Sequence, residues 1–426
     1  MFENTDNSAI DYIMTFSHSG KAISDLSRIK RLLELAGNPQ DKLKFVHIAG
    51  TNGKGSMAQM FNCIFTAAGF KTGLFTSPYM LEYSDRIQVD GENISPDSLS
   101  EIAGYVKKKL EDIPDSEDFS QFEITQTIAF LYFVKCGCDI VVLETGLGGL
   151  LDCTNVVTTS VLTVIGSVDY DHTAILGDTL EKIAFQKAGI IKQGVPCVLS
   201  AGNDIAVIRT VREYAMEKCA QLVIPNITLM RLNSCDCFGA EFSYKGKMYC
   251  TSMGGAHQVI NAMSVIEGIN LINDRMKIPY EKVAEGIKAA RLVGRVEVIC
   301  EYPLTILDGA HNPDGLSALA GIISHSGKSP CHAVIGMCRD KNITDAVSKL
   351  IPLVDSFVTV DGFSERAENR EKLAEIINEL GGKAVSAHDD ILTEIENMKK
   401  SNPDGLNLIC GSLFLVSDVK QKMSES

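Results

Sequence analysis

A lysine set among glycines, directly after a short apolar run, marks the part of this chain best suited to holding phosphate. The residues are His47-Ile48-Ala49-Gly50-Thr51-Asn52-Gly53-Lys54-Gly55-Ser56. Glycines let backbone N–H groups approach and surround phosphate oxygens, Lys54 brings a point charge, and a following helix offers its positive end to the anion. Ser56 can cap that helix or reach a magnesium ion. The spacing departs from the standard G-x-x-x-x-G-K-[ST] loop: Ile48 stands at the first glycine, and Gly55 separates Lys54 from Ser56. A purely structural glycine turn is the alternative; the position between a strand and a helix favours phosphate.

Three more clusters follow apolar runs. Glu144-Thr145-Gly146-Leu147-Gly148-Gly149 comes straight after the buried-strand pattern at 139–143. Ligands of open parallel sheets sit at the carboxyl ends of strands, and a carboxylate there, beside a nucleotide, suits magnesium. Asp169-Tyr170-Asp171-His172-Thr173 follows the run at 161–165, which makes His172 a ligand candidate rather than a plain surface histidine. Leu307-Asp308-Gly309-Ala310-His311-Asn312-Pro313 gathers Asp, His and Asn on one loop, the pattern of a polar binding site or of a turn built by Asp-Gly and Asn-Pro. Lys187, in Ala184-Phe185-Gln186-Lys187-Ala188-Gly189, reads from residue types alone only as a helix lysine.

Positioning these groups requires alternating strands and helices. Apolar runs at Phe45–Ala49, 139–143, 161–165 and 195–199 have the length of buried strands, while 21–36 and 56–68 carry helical spacing. The alternation predicts a mostly parallel sheet covered by helices. Residues 224–251 alternate in the manner of an antiparallel hairpin region attached to the first domain, and a helix with Val259, Ala262, Met263, Val265 and Ile266 follows. Alternation restarts after Arg295, with strands expected at Leu304–Leu307, 333–337, 356–360 and 406–409 and helices at 315–324, 343–353, 370–380 and 390–400. The fold class expected is therefore α/β. An N-terminal phosphate-loop domain, 1–294, has a mostly parallel sheet plus a small antiparallel region, and a smaller Rossmann-like α/β domain spans 295–426.

With 426 residues, 45% hydrophobic and 22% charged, the composition is that of a globular protein of two or so domains. A net charge of −14 repels nucleic-acid phosphates, so any phosphate or carboxylate site must be locally basic. The 13 cysteines are odd in number, and Cys136-Gly-Cys138 and Cys235-Asp-Cys237 are too tight for the two-residue metal knuckle, which points to reduced thiols. The first residues lack the basic-then-apolar pattern of a signal peptide, and no run approaches the roughly 20 apolar residues of a membrane helix. A cytoplasmic protein without nucleic-acid or membrane partners is expected.

Taken in order, the segments closely resemble the folylpolyglutamate synthase and dihydrofolate synthase family, a branch of the Mur-type peptide ligases. The resemblance spans nearly the whole chain: HIAGTNGKGS, FTSPY with DRIQVDG, QFEITQTIAFLYF, ETGLGGLLDCTNV, DYDHTAILGDTLEKIAFQKAGIIKQGVP, GAHQVINA, VGRVE, LDGAHNPDG and GSLFLVSDV. It implies ATP, two magnesium ions, L-glutamate and a folate or dihydropteroate as ligands, and a monomer. Gly50, Thr51, Asn52, Gly53, Lys54, Gly55 and Ser56 would cradle the ATP phosphates, and His257, Gln258 and Asn261 would contact the nucleotide. Arg295, Asp308 and His311 would close over the nucleotide and the acyl phosphate from the second domain. Ser77 and Glu144 would hold one magnesium, with Ser56 in reach, and Glu144 and His172 a second. Lys187 would be carbamylated to support that second ion, a reversal of the reading from residue types. Thr76, Pro78 and Arg86, within residues 76–86, would line the pterin side together with Glu123, Thr125 and Asp152. Lys54, Lys187 and His311 would act in catalysis.

The chain departs from the family pattern at Leu150, where an arginine commonly follows the double glycine, at Gln186 in place of glutamate, and at Leu292-Val293 in place of Trp-Pro. Loss of the cation at Leu150 bears on substrate preference and not on phosphate chemistry. Two other readings compete. A Mur-type enzyme acting on a cell-wall precursor would carry an additional domain ahead of the phosphate loop, where only about 45 residues stand here. A nucleotide switch without ligation would have no use for LDGAHNPDG.

Overall fold

Phe45–Ala49 is buried at every position, as a strand flanked by helices on both faces must be. The computed structural model describes residues 8–17, 25–111, 113–114 and 116–425. They divide into two compact units, 1–227 with 261–289, and 228–260 with 290–426. The segment 228–260 thus groups with the C-terminal residues, where a single cut at Gly294 was expected.

In the first unit, eight strands form one sheet: β1 (Phe45–Ala49), β2 (Thr72–Phe75), β3 (Ile87–Val89), β4 (Glu92–Asn93), β5 (Ile140–Glu144), β6 (Ser160–Ile165), β7 (Cys197–Leu199) and β8 (Leu222–Val223). Their order is β4-β3-β2-β5-β1-β6-β7-β8, parallel except for the β2–β3–β4 edge. Register places Ile48 beside Glu144 and Phe75 beside Leu143, so the carboxyl ends of β1, β2 and β5 lie side by side. The helices are α1 (Ser8–Met14), α2 (Ser27–Leu35), α3 (Lys54–Ala67), α4 (Pro96–Leu110), α5 (Gln121–Cys136), α6 (Thr173–Leu176), α7 (Leu180–Ala188), α8 (Ile205–Glu217), α9 (Ala256–Met276) and α10 (Tyr280–Ala289). The helix expected over 21–36 is α2; residues 21–24 lie outside the described residues.

Local signals explain several boundaries. Ser120 and Glu123 form a reciprocal capping box at the start of α5, and Gly137 ends it in the left-handed conformation. Pro96 opens α4 behind an Ser95 cap. One apolar cluster packs Phe45, Phe75, Phe130, Phe133 and Leu143 with Ile29, Leu32 and Leu33. Another joins Ile165, Cys197 and Leu199 to Ile183, Val207 and Val211. Helix α10 comes so close to α3 that a Cβ on Gly286 would stand 2.5 Å from the Ile64 backbone nitrogen, so only glycine fits.

The second unit holds a three-stranded antiparallel sheet, β9 (Met230–Cys235), β10 (Ala240–Tyr244) and β11 (Lys247–Thr251). Its larger sheet comprises β12 (Glu297–Glu301), β13 (Leu304–Leu307), β14 (Cys331–Ile335), β15 (Ser356–Thr359), β16 (Ala384–Ser386) and β17 (Leu406–Cys410), ordered β12-β13-β17-β14-β15-β16. All pairs are parallel except β12–β13. Cys237, from the β9–β10 connection, joins the core of Ile306, Ala333, Ile335, Leu406 and Leu408. The mostly parallel α/β architecture agrees with the sequence reading. The short strands β2, β3, β4, β8, β12 and β16 were not anticipated.

Candidate active site

The loop after β1 is stitched to the loop after β6. Thr51 N donates to Ser167 O (2.6 Å), Thr51 Oγ1 to Asp169 O (3.1 Å), and Asp169 N returns to Thr51 Oγ1 (3.0 Å). Gly53 precedes α3 in the left-handed region, at φ 82°. Lys54 opens α3 and folds back over the loop, its Nζ donating to Gly50 O (3.0 Å) and Thr51 O (3.2 Å). Gly55 and Ser56 continue the first turn, with Ser56 buried. The helix therefore presents its N-terminal end and a cation at one point, the arrangement an anion needs. Asn261 lies against this loop: a Cβ on Gly53 would stand 2.5 Å from its Oδ1. Gly53→Ala, strained in φ as well, should cost about 1–3 kcal/mol, read by calorimetry as weaker ADP binding and as a lower melting temperature.

Glu144 ends β5 with its side chain buried, and its Oε2 accepts from Ser77 N (3.2 Å). Ser77-Pro78 is a cis peptide, and Thr76 N donates to Arg86 O (3.1 Å). His172 sits at φ 50°, its N–H held by Asp171 Oδ1 (2.9 Å), with the ring partly exposed. Lys187 is buried on α7, and its pKa falls to about 7, first because burial disfavours the ammonium and then because Lys54 repels it, against the pull of Asp171 and Asp152. The Gly148-Gly149 turn makes this packing feasible: a Cβ on Gly149 would lie 2.7 Å from Gln186 O and 2.9 Å from Lys187 O. Leu150, at the departure from the family pattern, donates its N–H to Gln186 O (2.6 Å) and packs against Gly189.

Among the described residues no group of three or more His, Cys, Asp or Glu is placed to hold a metal ion. Magnesium fits nonetheless, because it keeps waters and substrate phosphate oxygens and asks for only one or two protein carboxylates. Buried Glu144 supplies one, with the Ser56 and Ser77 hydroxyls as further hard oxygens.

The residues expected on the pterin side separate into two kinds. Arg86 lies over the rings of Tyr79 (5.0 Å) and Tyr83 (5.5 Å), and its Nε is buried without a partner. The Tyr83 hydroxyl pairs with Thr125 Oγ1, which itself donates to Gln121 O (2.5 Å), and burial lifts the Tyr83 pKa to about 12. Glu123 and Asp152, by contrast, spend their carboxylates on the protein. Glu123 receives Arg28 Nε on both oxygens (2.9 and 2.8 Å), plus Ser120 N (2.8 Å) and Oγ (2.9 Å). Asp152 receives Leu147 N (2.7 Å), Thr154 N (3.0 Å) and the Thr154 hydroxyl (2.5 Å).

In the second unit, the carboxylate of Asp308 bridges two backbone amides, Val296 N and Ala310 N, each at 2.8 Å. His311 Nδ1 donates to Gly309 O (2.8 Å), which leaves Nε2 with its lone pair when the ring is neutral. Asn312 caps α11 (Pro313–His325) through Gly315 N. His257 feels both Asp308 and Arg295: burial lowers its pKa most, Asp308 opposes, and Arg295 adds to the lowering. Gln258 is buried beside it in sequence.

A glycine-lysine loop at a helix N-terminus, with a buried carboxylate at the next strand end, is joined in this chain to a domain of known type: residues 294–413 match the Mur ligase, glutamate ligase domain family. Together they define a Mur-type ligase. A Bacillus subtilis dihydrofolate synthase/folylpolyglutamate synthase is 34% identical over 93% of this chain and 94% of its own length. A Mycobacterium tuberculosis protein of the same designation is 30% identical over 89% of this chain and 84% of its own. Among solved structures, M. tuberculosis folylpolyglutamate synthase complexed with ADP and AMPPCP superposes with a TM-score of 0.86 at 27% identity, covering 95% of this chain and 96% of that one. E. coli FolC in complex with DHPP and ADP gives 0.83 at 26% identity, covering 99% of each. The chain belongs to the dihydrofolate synthase/folylpolyglutamate synthase family.

Proposed function

We propose that this protein is an ATP-dependent ligase that joins L-glutamate to a folate, to dihydropteroate, or to both. The reading is carried by Lys54 in the glycine loop after β1, buried Glu144 at the end of the neighbouring parallel strand β5, and buried, readily deprotonated Lys187 on α7, close enough to Lys54 to feel its charge. A carboxylate does not react with an amine, because an oxide is a hopeless leaving group. Moving the γ-phosphoryl of ATP onto the carboxylate oxygen, with ADP departing, gives an acyl phosphate. The α-amine of glutamate then attacks the acyl carbon, the C–O bond to phosphate breaks, and amide and phosphate are released.

The protein's part is positioning and charge neutralisation. Gly50 to Ser56 hold the phosphates, and Lys54 releases the Gly50 and Thr51 carbonyls to meet a phosphate oxygen. His257, Gln258, Asn261, Arg295 and Asp308 bind the nucleotide. Ser56, Ser77, Glu144 and His172 hold magnesium, and a carbamate on Lys187 adds an anionic oxygen to that set. Bound magnesium supplies further neutralisation of charge on the transferring phosphate. Thr76, Pro78, Arg86 and Thr125 face the pteroyl substrate, where Arg86 over two tyrosine rings suits a planar, anionic ligand. His311, its Nδ1 held by Gly309 O, accepts a proton from the incoming amine. Thirteen cysteines without a disulfide support a reducing, cytoplasmic setting; among the described residues no helix is long and apolar enough to cross a membrane.

Phosphate release measured with dihydropteroate and with tetrahydrofolate, each plus glutamate, tests the reading and separates the two activities. Release should require glutamate and at least one of the two. ATP turnover indifferent to all three would mark a nucleotide switch instead.

A further inference from the structure

His47 sits on β1 two residues before its end, fully buried, opposite Leu143 of β5. Its Nε2 lies 2.9 Å from Thr154 Oγ1, and Thr154 Oγ1 lies 2.5 Å from Asp152 Oδ1. A threonine hydroxyl has one hydrogen. Burial raises the Asp152 pKa, but backbone amides donate to both its oxygens, Leu147 N to Oδ2 and Thr154 N to Oδ1, and favour the carboxylate. A carboxylate only accepts, so that hydrogen goes to Asp152, and the oxygen must then accept from His47. The imidazole hydrogen is thereby placed on Nε2. The other ring nitrogen, Nδ1, is buried with no partner, which is tolerable for a bare lone pair and costly for an N–H. Burial, and Lys192 after it, hold the imidazole pKa well below its ordinary value, in keeping with a neutral ring.

Beyond Asp152 the chain of bonds reaches the glycine loop. Asp152 Oδ2 takes Leu147 N at 2.7 Å, and the Gly146 amide also bonds this carboxylate. Gly146 is wedged against Phe122, and Gly149 against the carbonyls of Gln186 and Lys187. Asn155, the next residue after Thr154, donates to Leu150 O (3.0 Å) and Gly189 O (3.1 Å), closing the far side. The turn that starts at Glu144 and ends against Lys187 is thus braced from inside.

We infer that His47, Thr154 and Asp152 are positioning residues: a one-directional hydrogen-bond chain from the strand that leads into the phosphate loop fixes the turn between Glu144 and Lys187. The inference rests on the ligase reading above, adds His47 and Thr154 to it, and gives Asp152 a bracing role besides its expected place on the pterin side. An ordinary buried histidine would satisfy itself and stabilise the fold without selectivity. This one hands its only hydrogen toward a loop that starts at Glu144 and packs against Lys187 at Gly149.

Full-length Thr154→Val, which keeps the shape and removes the hydroxyl, is compared with Thr154→Ser and the parent. The expected result for Thr154→Val is a kcat for glutamate-dependent phosphate release lower by about 10–100-fold, the range typical of supporting hydrogen-bond partners, with the KM for ATP unchanged. Thr154→Ser should recover most of the loss. In parallel, nitrogen-15 NMR of labelled histidine should show His47 as a neutral Nε2–H tautomer in the parent, and an altered signal in Thr154→Val. A full kcat in Thr154→Val, a Thr154→Ser variant as impaired as the valine, or a parallel loss in every kinetic constant that tracks a loss of folded protein would overturn the inference. If Thr154→Val fails to fold, the parent decides: an Nδ1–H tautomer or an imidazolium sinks it, and Nε2–H with an active Thr154→Ser upholds it. A parent protein whose ATP turnover ignores glutamate and folates fails before any variant is compared, which identifies the ligase reading as the fault and removes this inference with it.

Discussion

Lys187→Ala should lower glutamate-dependent phosphate release by on the order of 10²–10³-fold, the scale of losing one charge-organising group from a preorganised site, and millimolar short carboxylic acids should restore part of it. The reason lies in the environment of the amine. Buried and beside Lys54, Lys187 has a pKa near 7, so a large share is neutral in mildly alkaline solution and able to add carbon dioxide as a nucleophile. The product is an anionic oxygen ligand, which an exogenous carboxylate can mimic in the space left by alanine. A variant that keeps full activity, or one that no carboxylic acid rescues, removes the carbamate from the scheme.

The same shift has a sign in stability. In the folded protein Lys187 loses its proton near pH 7, whereas in the unfolded chain it keeps it to about 10.5. Between those values the unfolded state binds more protons, so stability contributed at this site rises with pH across the window and is absent below it. In buffer freed of carbon dioxide, the parent should therefore gain melting temperature relative to Lys187→Met as pH goes from 7 to 9. A constant difference would show that the amine is not desolvated as the packing requires.

Glu144→Gln should act through magnesium. The amide keeps the volume and can still accept from Ser77 N, so the fold should survive, but the only carboxylate at the end of β5 is gone. The magnesium concentration for half-maximal activity should rise by about 10–100-fold, with kcat reduced by on the order of 10² at saturation. ADP binding without magnesium should stay near the parent value, since the phosphates are proposed to sit in the Gly50–Ser56 loop and not on Glu144. An unchanged magnesium response would take Glu144 out of the metal set.

Much of this was readable along the chain. Gly50 to Ser56 are contiguous, so their glycine spacing, the lysine and the flanking strand and helix appear in one short window. Glu144 and His172 each follow an apolar run, and their strands, β5 and β6, flank β1 in one parallel sheet, while Asp308 follows such a run in the second unit's sheet. Glu123 and Asp152 show the limit. Both are expected to line the substrate, but their partners are invisible along the chain: Arg28, 95 residues away, pairs with Glu123, and loop amides bond Asp152. The short strands β2, β3, β4, β8 and β16 display no period, whereas the equally short β7, β13 and β15 were legible from their apolar runs.

Residue order alone settled the alternation of strands and helices, the glycine-lysine turn between β1 and α3, and the family, because period, capping and turn chemistry are local and are written in neighbouring letters. The character of Lys187 and the direction of the His47–Thr154–Asp152 bonds came from folding. A pKa and a proton's location depend on everything packed around a group, and here His47 and Thr154 are 107 residues apart, with Lys54 and Lys187 farther still.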